Sequence, residues 1–334
     1  MRVLVGDIGG TKTGLAVAEV DGDAVSLSEA GRYPSRDYGN LADIVRRYLA
    51  ETGARCDVGS FAIAGPVVDG RSRTTNLPWH LDAAELAPAL GFERVHLLND
   101  LEAVAWGVAA LGPDDLAEIH AGESGASGAP RGNACVVAPG TGLGEAGLYW
   151  DGKRHRAFAT EGGHTDFAPA DEREFALLKH LQQRFGRVSC ERVVSGMGIG
   201  NIYAFLAEHH RAEHIPAVAE ALAGGGDLAA AVAAGAASGC PVCTETMDLF
   251  ALLCGREAGN MALKHLALAG VYLGGGIAPK NLSLLRAGGF MEGFLDKGRM
   301  RGLMERMPVR VILNQEVPLL GAARFAVRDY SFGL

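Results

Sequence analysis

Gly10-Thr11-Lys12-Thr13-Gly14 and, 130 positions further along, Gly140-Thr141-Gly142-Leu143-Gly144 are two copies of one pattern. Each follows an apolar run, Val3-Leu4-Val5 in the first copy and Ala134-Cys135-Val136-Val137 in the second. Each leads into a second strand-like run, Leu15-Ala16-Val17-Ala18 or Ala146-Gly147-Leu148-Tyr149, and closes on a tight Asp-Gly turn, Asp21-Gly22 or Asp151-Gly152. A strand, glycine turn and strand repeated within one chain predicts two related domains. Glycine tolerates positive φ and has no side chain, so such a turn aims several backbone N–H groups at phosphate oxygens, with a threonine hydroxyl as another donor. Two such hairpins facing each other would hold one nucleotide.

Other phosphate motifs fit less well. The first copy nearly reads as a P-loop, since Gly6 is followed after four residues by Thr11-Lys12-Thr13, but Thr11 stands where the second glycine is required. The residues after this turn alternate like a strand, whereas a P-loop opens a helix. Gly140-x-Gly142-x-Gly144 has the wrong spacing for a dinucleotide fingerprint and also precedes a strand. A glycine-rich hairpin with no ligand is the plain alternative for one copy, and two copies in register weaken it.

The chain has 334 residues, 48% of them hydrophobic, enough for one large or two medium domains with real cores. Its net charge of −8 and lack of a Lys/Arg-rich run argue against a nucleic-acid surface. No apolar stretch approaches the ~18 residues of a membrane span, and Asp7 interrupts the N-terminus before a signal-peptide core can form, so a cytoplasmic protein without membrane contact is expected. Six cysteines are scattered without the density of a disulfide scaffold. Cys240-Pro241-Val242-Cys243 has no second Cys pair nearby to complete a zinc site, so reduced thiols are expected.

Beyond the first hairpin a third strand is expected near residues 24–32. Leu41 to Leu49 has the apolar spacing of an amphipathic helix, and Val58 to Ala64 reads as a buried strand ending at Gly65-Pro66. Val95-His96-Leu97-Leu98 is another strand and Leu101 to Val108 a helix, which places Asn99 and Asp100 at a strand-to-helix corner. This alternation is that of an α/β domain. The small, polar segment 121–132 reads as a surface loop near a domain boundary. Helical patterns dominate 171–265, with an Ala-rich stretch at 216–238 broken by Gly224-Gly225-Gly226. Leu266 to Leu273 leads into a third glycine turn, Gly274-Gly275-Gly276, before a strand at Val309 to Leu313 and a helix at Leu319 to Val327.

A carboxylate at a strand-to-helix corner is held firmly and can accept a proton from a bound hydroxyl, which makes Asp100 a candidate general base. The alternative is an N-cap, for which Asn and Asp are favoured. Asp7, before the first turn, is a candidate to help hold a hydrated Mg²⁺ near phosphates, or else stabilises the turn. Glu161-Gly162-Gly163-His164-Thr165-Asp166, followed at a distance by Glu191, intersperses carboxylates and a histidine with glycine. Carboxylates accept hydrogen bonds in adjacent directions, as the neighbouring hydroxyls of a sugar require. Metal chelation and a structural loop are the rivals, and the tight H-E-x-x-H spacing of a catalytic zinc is absent.

Gly6-Asp7-Ile8-Gly9-Gly10-Thr11-Lys12-Thr13, Leu97-Leu98-Asn99-Asp100, Gly140-Thr141-Gly142-Leu143-Gly144, Glu161-Gly162-Gly163-His164, Cys190-Glu191-Arg192-Val193-Val194-Ser195-Gly196 and Leu273-Gly274-Gly275-Gly276-Ile277 together resemble, in order and over almost the whole chain, the bacterial glucokinases of the actin–hexokinase–Hsp70 superfamily. The resemblance implies an α/β, two-domain actin-like ATPase (ribonuclease H-like) fold with duplicated mixed β-sheets and an interdomain cleft. A small domain would span 1–110, completed by about 314–334, and a large one 111–313. It implies ATP and Mg²⁺ as cofactors, Asp7 near the metal, and phosphorylation of D-glucose at its 6-hydroxyl, feeding glycolysis. Asp100 would be the general base, and Asn99, Asp100, Glu161, His164 and Glu191 would bind the sugar. Gly9, Gly10, Thr11, Lys12, Thr13, Gly140, Thr141 and Gly142 would hold the nucleotide phosphates, while Gly275 and the Gly196 to Gly200 turn would border the adenosine. The family also suggests a homodimer through the larger domain.

The sequence departs from relatives of the repressor–ORF–kinase branch in having no Cys-rich zinc motif around His164, which favours the zinc-free group. Lys12 stands where an amide is common, and a cation there suits a phosphate. A kinase for another hexose and a non-catalytic sugar sensor are the alternatives. A sensor of this fold is expected to carry a DNA-binding segment ahead of the first hairpin, which here opens at residue 3. An actin-like filament protein would have no use for the Asn99/Asp100 and Glu161/His164 groups.

Overall fold

Arg2–Ile8 forms β1, whose Val3, Leu4 and Val5 are fully buried, as a strand covered on both faces must be. The computed structural model describes residues 1–22, 24–74, 77–123 and 131–328. The first glycine turn leads directly into a strand, β2 (Lys12–Asp21), paired antiparallel to β1 with Asp7 opposite Gly14. Asp21-Gly22, with Gly22 at φ 58°, turns the chain into β3 (Ala24–Pro34). Helix α1 (Leu41–Thr52) is capped by Asn40, which accepts from Asp43 N, and ends on left-handed Gly53. Then come β4 (Val58–Ile63), a small antiparallel sheet of β5 (Val67–Val68), β6 (Arg71–Arg73) and β7 (His80–Asp82), α2 (Ala83–Leu90), β8 (Arg94–Asn99) and α3 (Asp100–Val108). The main sheet has the order β3-β2-β1-β4-β8, with β4 parallel to both β1 and β8.

The second half begins with β9 (Leu116–His120). Of the loop read at 121–132, residues 124–130 lie outside the described residues. The second hairpin is built from β10 (Ala134–Pro139), β11 (Leu143–Trp150) and, after Asp151-Gly152, β12 (His155–Thr160). Helices α4 (Glu172–Phe185), α5 (Gly196–His210), α6 (Pro216–Glu220), α7 (Leu228–Ala237) and α8 (Pro241–His265) fill the stretch read as helical, and the break between α6 and α7 falls at Gly224, φ 90°. After β13 (Gly270–Leu273) come short helices α9 (Ile277–Lys280), α10 (Leu282–Arg286), α11 (Gly289–Leu295) and α12 (Arg301–Met304), then β14 (Val309–Ile312) and α13 (Val317–Val327). The sheet order is β12-β11-β10-β13-β14-β9, with β13 parallel to both β10 and β14. Its first five strands repeat the order of the first sheet, so the repeated sequence pattern is a repeated sheet, with β9 added at the far edge.

The chain forms two compact units: Met1–Leu116 with Ala146–Thr160 and Asn314–Leu334, and Ala117–Glu145 with Glu161–Leu313. In the first, Leu4, Leu15 and Val17 pack under α1 and α2 around Tyr48, Phe61 and Trp79. The opposite side of the sheet, Val3, Val5, Ala16 and Ala18, packs with Ala322, Ala323 and Ala326 of α13. The second unit has one large core built around α8, whose Phe250, Leu253 and Met261 are buried. All six cysteines are thiols. Among the described residues no single helix is long and apolar enough to cross a membrane.

Candidate active site

In the first unit the glycine turn is braced from the end of β3. Ser35 donates its hydroxyl to Gly9 O at 2.8 Å and its N–H to Thr11 O at 3.0 Å, and Gly9 N–H bonds Lys12 O at 3.0 Å. Thr13 Oγ1 lies 3.0 Å from Ser35 Oγ and is fully buried, whereas Thr11 and Lys12 are exposed. Thr13 therefore buttresses the turn, while Gly9, Gly10, Thr11 and Lys12 form its accessible rim. Asp7 is the penultimate residue of β1, just before this turn. Burial pushes its carboxyl up to about 6, and no side-chain donor among the described residues offsets that burial.

Asn99 and Asp100 lie at the junction of β8 and α3, where the strand ends and the helix needs a cap. The cap is Asn99. Its Oδ1 accepts from Leu101 N at 2.9 Å and Glu102 N at 3.1 Å, and its Nδ2 donates to Gly65 O at 3.1 Å. Asn99 is buried and its amide is engaged on both sides, tying the start of α3 to the loop after β4. Asp100, the first helical residue, is half-buried and accepts from Leu101 N at 3.0 Å. It gains from the helix N-terminus as a carboxylate, since the positive end of the helix favours negative charge.

In the second unit two carboxylates, Glu161 and Glu191, gather around His164. Its Nε2 is 3.9 Å from Glu161 Oε2 and its Nδ1 is 4.0 Å from Glu191 Oε1. Glu161 and His164 are largely exposed and Glu191 is mostly buried, so the group is a shelf with one fixed edge. Two short 3-10 turns, Gly162–His164 and Cys190–Arg192, carry it and are joined by Cys190 N–H to Thr165 O at 2.9 Å.

Glu191 also supports the second glycine turn. Its Oε2 accepts from Leu143 N at 3.0 Å, and a Cβ at Gly142 would overlap that carboxylate and push it off this bond. Gly140 N–H bonds Gly142 O, and Gly140 O accepts from Gly196 N, both at 2.8 Å. Thr141 is exposed at the tip. Gly275, at φ 73°, lets the third glycine turn lie against Pro139 O. An open groove of about 1030 Å³ runs from Gly140 and Thr141 past Gly196, Met197 and Asp227 to Lys280, wholly within this unit and large enough for a nucleoside.

The sequence reading grouped Glu161, His164 and Glu191, and the structure brings them together. It gave no notice of Ser35, of the tie from Asn99 to Gly65, of the groove residues Asp227 and Lys280, or of two buried carboxyls, Glu145 and Glu257, behind the Cys190 turn. Of these only Glu145 left a signal, as a charged residue in an otherwise apolar strand.

A family model described as Glucokinase matches residues 4–329. A glucokinase of Nostoc punctiforme is 40% identical over 341 residues, covering 98% of this chain and 99% of that one, and a glucokinase of Synechocystis is 42% identical over 355 residues, covering 98% and 99%. Among solved structures, a glucokinase from an Antarctic psychrotroph superposes with a TM-score of 0.83 at 31% identity, over 97% of this chain and 98% of that one. The duplicated α/β sheets are those of the actin-like ATPase fold, and with both chains matched almost end to end this chain belongs to the glucokinase family.

Proposed function

We propose that this protein catalyses ATP-dependent phosphorylation of D-glucose to glucose 6-phosphate. The observation that carries the reading is the Leu143 N–H to Glu191 bond, which hangs a hydroxyl-binding group and a phosphate-binding turn on the same carboxylate. In this reading Glu161, His164 and Glu191 accept and donate to the sugar hydroxyls, and Asp100 takes the proton from the 6-hydroxyl as it attacks the γ-phosphate. Backbone N–H groups of Gly10 and Thr11 in the first turn and of Thr141 and Gly142 in the second, with Lys12, hold the phosphates in line. The groove beside Gly196, Asp227 and Lys280 receives the adenosine.

Among the described residues no three His, Cys, Asp or Glu side chains gather as a metal site. That suits Mg²⁺, which binds through one or two carboxylates and substrate phosphates and keeps several waters. Asp7, half-buried and without a side-chain donor among the described residues, has the character of such a single carboxylate. The ion would neutralise charge on the transferring phosphoryl group. We also infer a homodimer, which light scattering tests, and a cytoplasmic location, which fractionation of cells tests.

Steady-state assays coupled to ADP release, with glucose, mannose and N-acetylglucosamine as acceptors, test the reading, with ADP and polyphosphate compared as donors. Glucose with ATP is expected to give the highest kcat/KM. A different preferred hexose would move the protein to another sugar kinase activity, and no turnover with any acceptor would leave a sugar sensor.

A further inference from the structure

Glu145 on β11 and Glu257 on α8 are 1% and 4% exposed, and the Glu257 carboxyl lies close enough in this core to push the Glu145 carboxyl up. Two carboxylates only accept, so a bond between them needs a proton. Glu257 Oε2 already receives two donors, Cys190 Sγ at 3.3 Å and Asn260 Nδ2 at 3.0 Å. Glu257 Oε1 is buried and no other donor among the described residues reaches it. The donors therefore gather on Glu257, while burial and the neighbouring carboxyl keep the proton on Glu145.

This pair lies behind both supports of Glu191. Cys190, which donates to Glu257, precedes Glu191 in the same 3-10 turn. Leu143, whose N–H holds Glu191 Oε2, is two residues before Glu145 on β11, so their side chains share a strand face. We propose that Glu145 and Glu257 share one proton and are positioning residues for sugar binding, holding Glu191 in place through Cys190 and β11. The inference rests on the sugar-binding role read for Glu191.

The other groups facing the pair do not supply that proton. Lys264 on α8 and Lys297 are the nearby cations, and Lys264 favours the ionised form of Glu145 without overcoming its burial and the Glu257 charge. Cys135 on β10, Cys190 and Cys254 on α8 are thiols whose ionisation burial pushes up, so they stay neutral. Loss of the Glu145 proton would set two anions against each other in a dry core. Relieving that repulsion turns Glu257 away, releases Cys190 and loosens Glu191.

The test is the pH dependence of glucose KM in the intact enzyme. Between pH 7 and pH 9 the wild-type glucose KM should rise about tenfold, the scale of coupling within a buried polar network, with ATP KM nearly constant. Glu145→Gln, which keeps a neutral donor toward Glu257, should stay flat and low. Glu257→Gln keeps an acceptor for Cys190 and gives Glu145 a donor, and should be flat as well. Variant profiles that overlay the wild type would overturn the proposal, whereas absence of glucose-dependent ADP release from wild type at every pH would overturn the sugar-kinase reading instead. Infrared spectra of the wild type guard against variants that fail to fold. A protonated-carboxyl C=O band present at pH 7 and lost at about pH 8 to 9 is expected, and its absence at pH 7 sinks the idea.

Discussion

Asp100 and Asn99 are neighbours with different tasks, and the difference is chemical. An amide supplies both an acceptor for helix N–H groups and a donor for Gly65 O, which Asn99 uses in full. A carboxylate cannot donate to that carbonyl but can take a proton. Asp100→Ala should therefore lower kcat by ~10²–10⁴, the usual size of a general-base contribution, while the Kd for ATP changes little. Near-normal turnover in that variant, measured with saturating glucose and ATP, would remove Asp100 from the chemistry. The sequence revealed that a polar pair sat at a strand-to-helix corner. It did not divide the work, because the division depends on Gly65, 34 residues upstream and adjacent only in the fold. Thr13 makes the same point: Thr11, Lys12 and Thr13 look alike as donors, but β2 starts at Lys12 and its alternation turns Thr13 inward onto Ser35.

At the scale of elements, α3 is short, nine residues, and its N-terminus carries Asp100, so its cap controls both stability and aim. Asn99→Ala removes two acceptor bonds to orphan N–H groups and leaves Gly65 O without its amide donor. A loss of about 2 kcal/mol is expected, a cap plus one unsatisfied polar group. Asn99→Asp should recover the cap but not the Gly65 bond, and so fall between the two in urea midpoint. Equal stability of all three proteins would show that the cap carries no weight. Elements of this kind were legible because their signals are local: apolar spacing for α1, an Asp-Gly turn between β2 and β3, and a polar corner before α3. The edge strands β9 and β12 and the three short strands β5 to β7 were not. Strands of two to six residues with half-exposed side chains lack a periodic pattern, and partners distant in sequence fix their place.

Across the molecule, the buried carboxyls set the direction in which stability depends on pH. Burial, reinforced by the Glu257 charge, pushes Glu145 up to about 8, and burial pushes Asp7 up to about 6. Below the ordinary carboxylate range near 4.5, folded and unfolded chains both hold these protons, so the full contribution is present. As pH rises the unfolded chain releases them first, and the folded chain keeps Asp7's to about 6 and Glu145's to about 8. Stability therefore falls with rising pH across that window, by up to about 1.4 kcal/mol per pH unit for each extra proton held by the folded state. Asp151 works the other way: hydrogen bonds from Arg154 N, Lys153 N and the Arg156 side chain hold it below the usual carboxylate range. Its contribution is lost only as pH falls below about 4, and solvent screens it because the group is exposed. The thermal unfolding midpoint should accordingly be highest near pH 5 and drop by roughly 5 °C or more by pH 8.5. Circular dichroism melts across that range would check this, with Glu145→Gln expected to flatten the upper part of the decline. A midpoint that does not fall between pH 5 and pH 8.5 would mean that the folded chain holds no extra proton on Glu145 or Asp7.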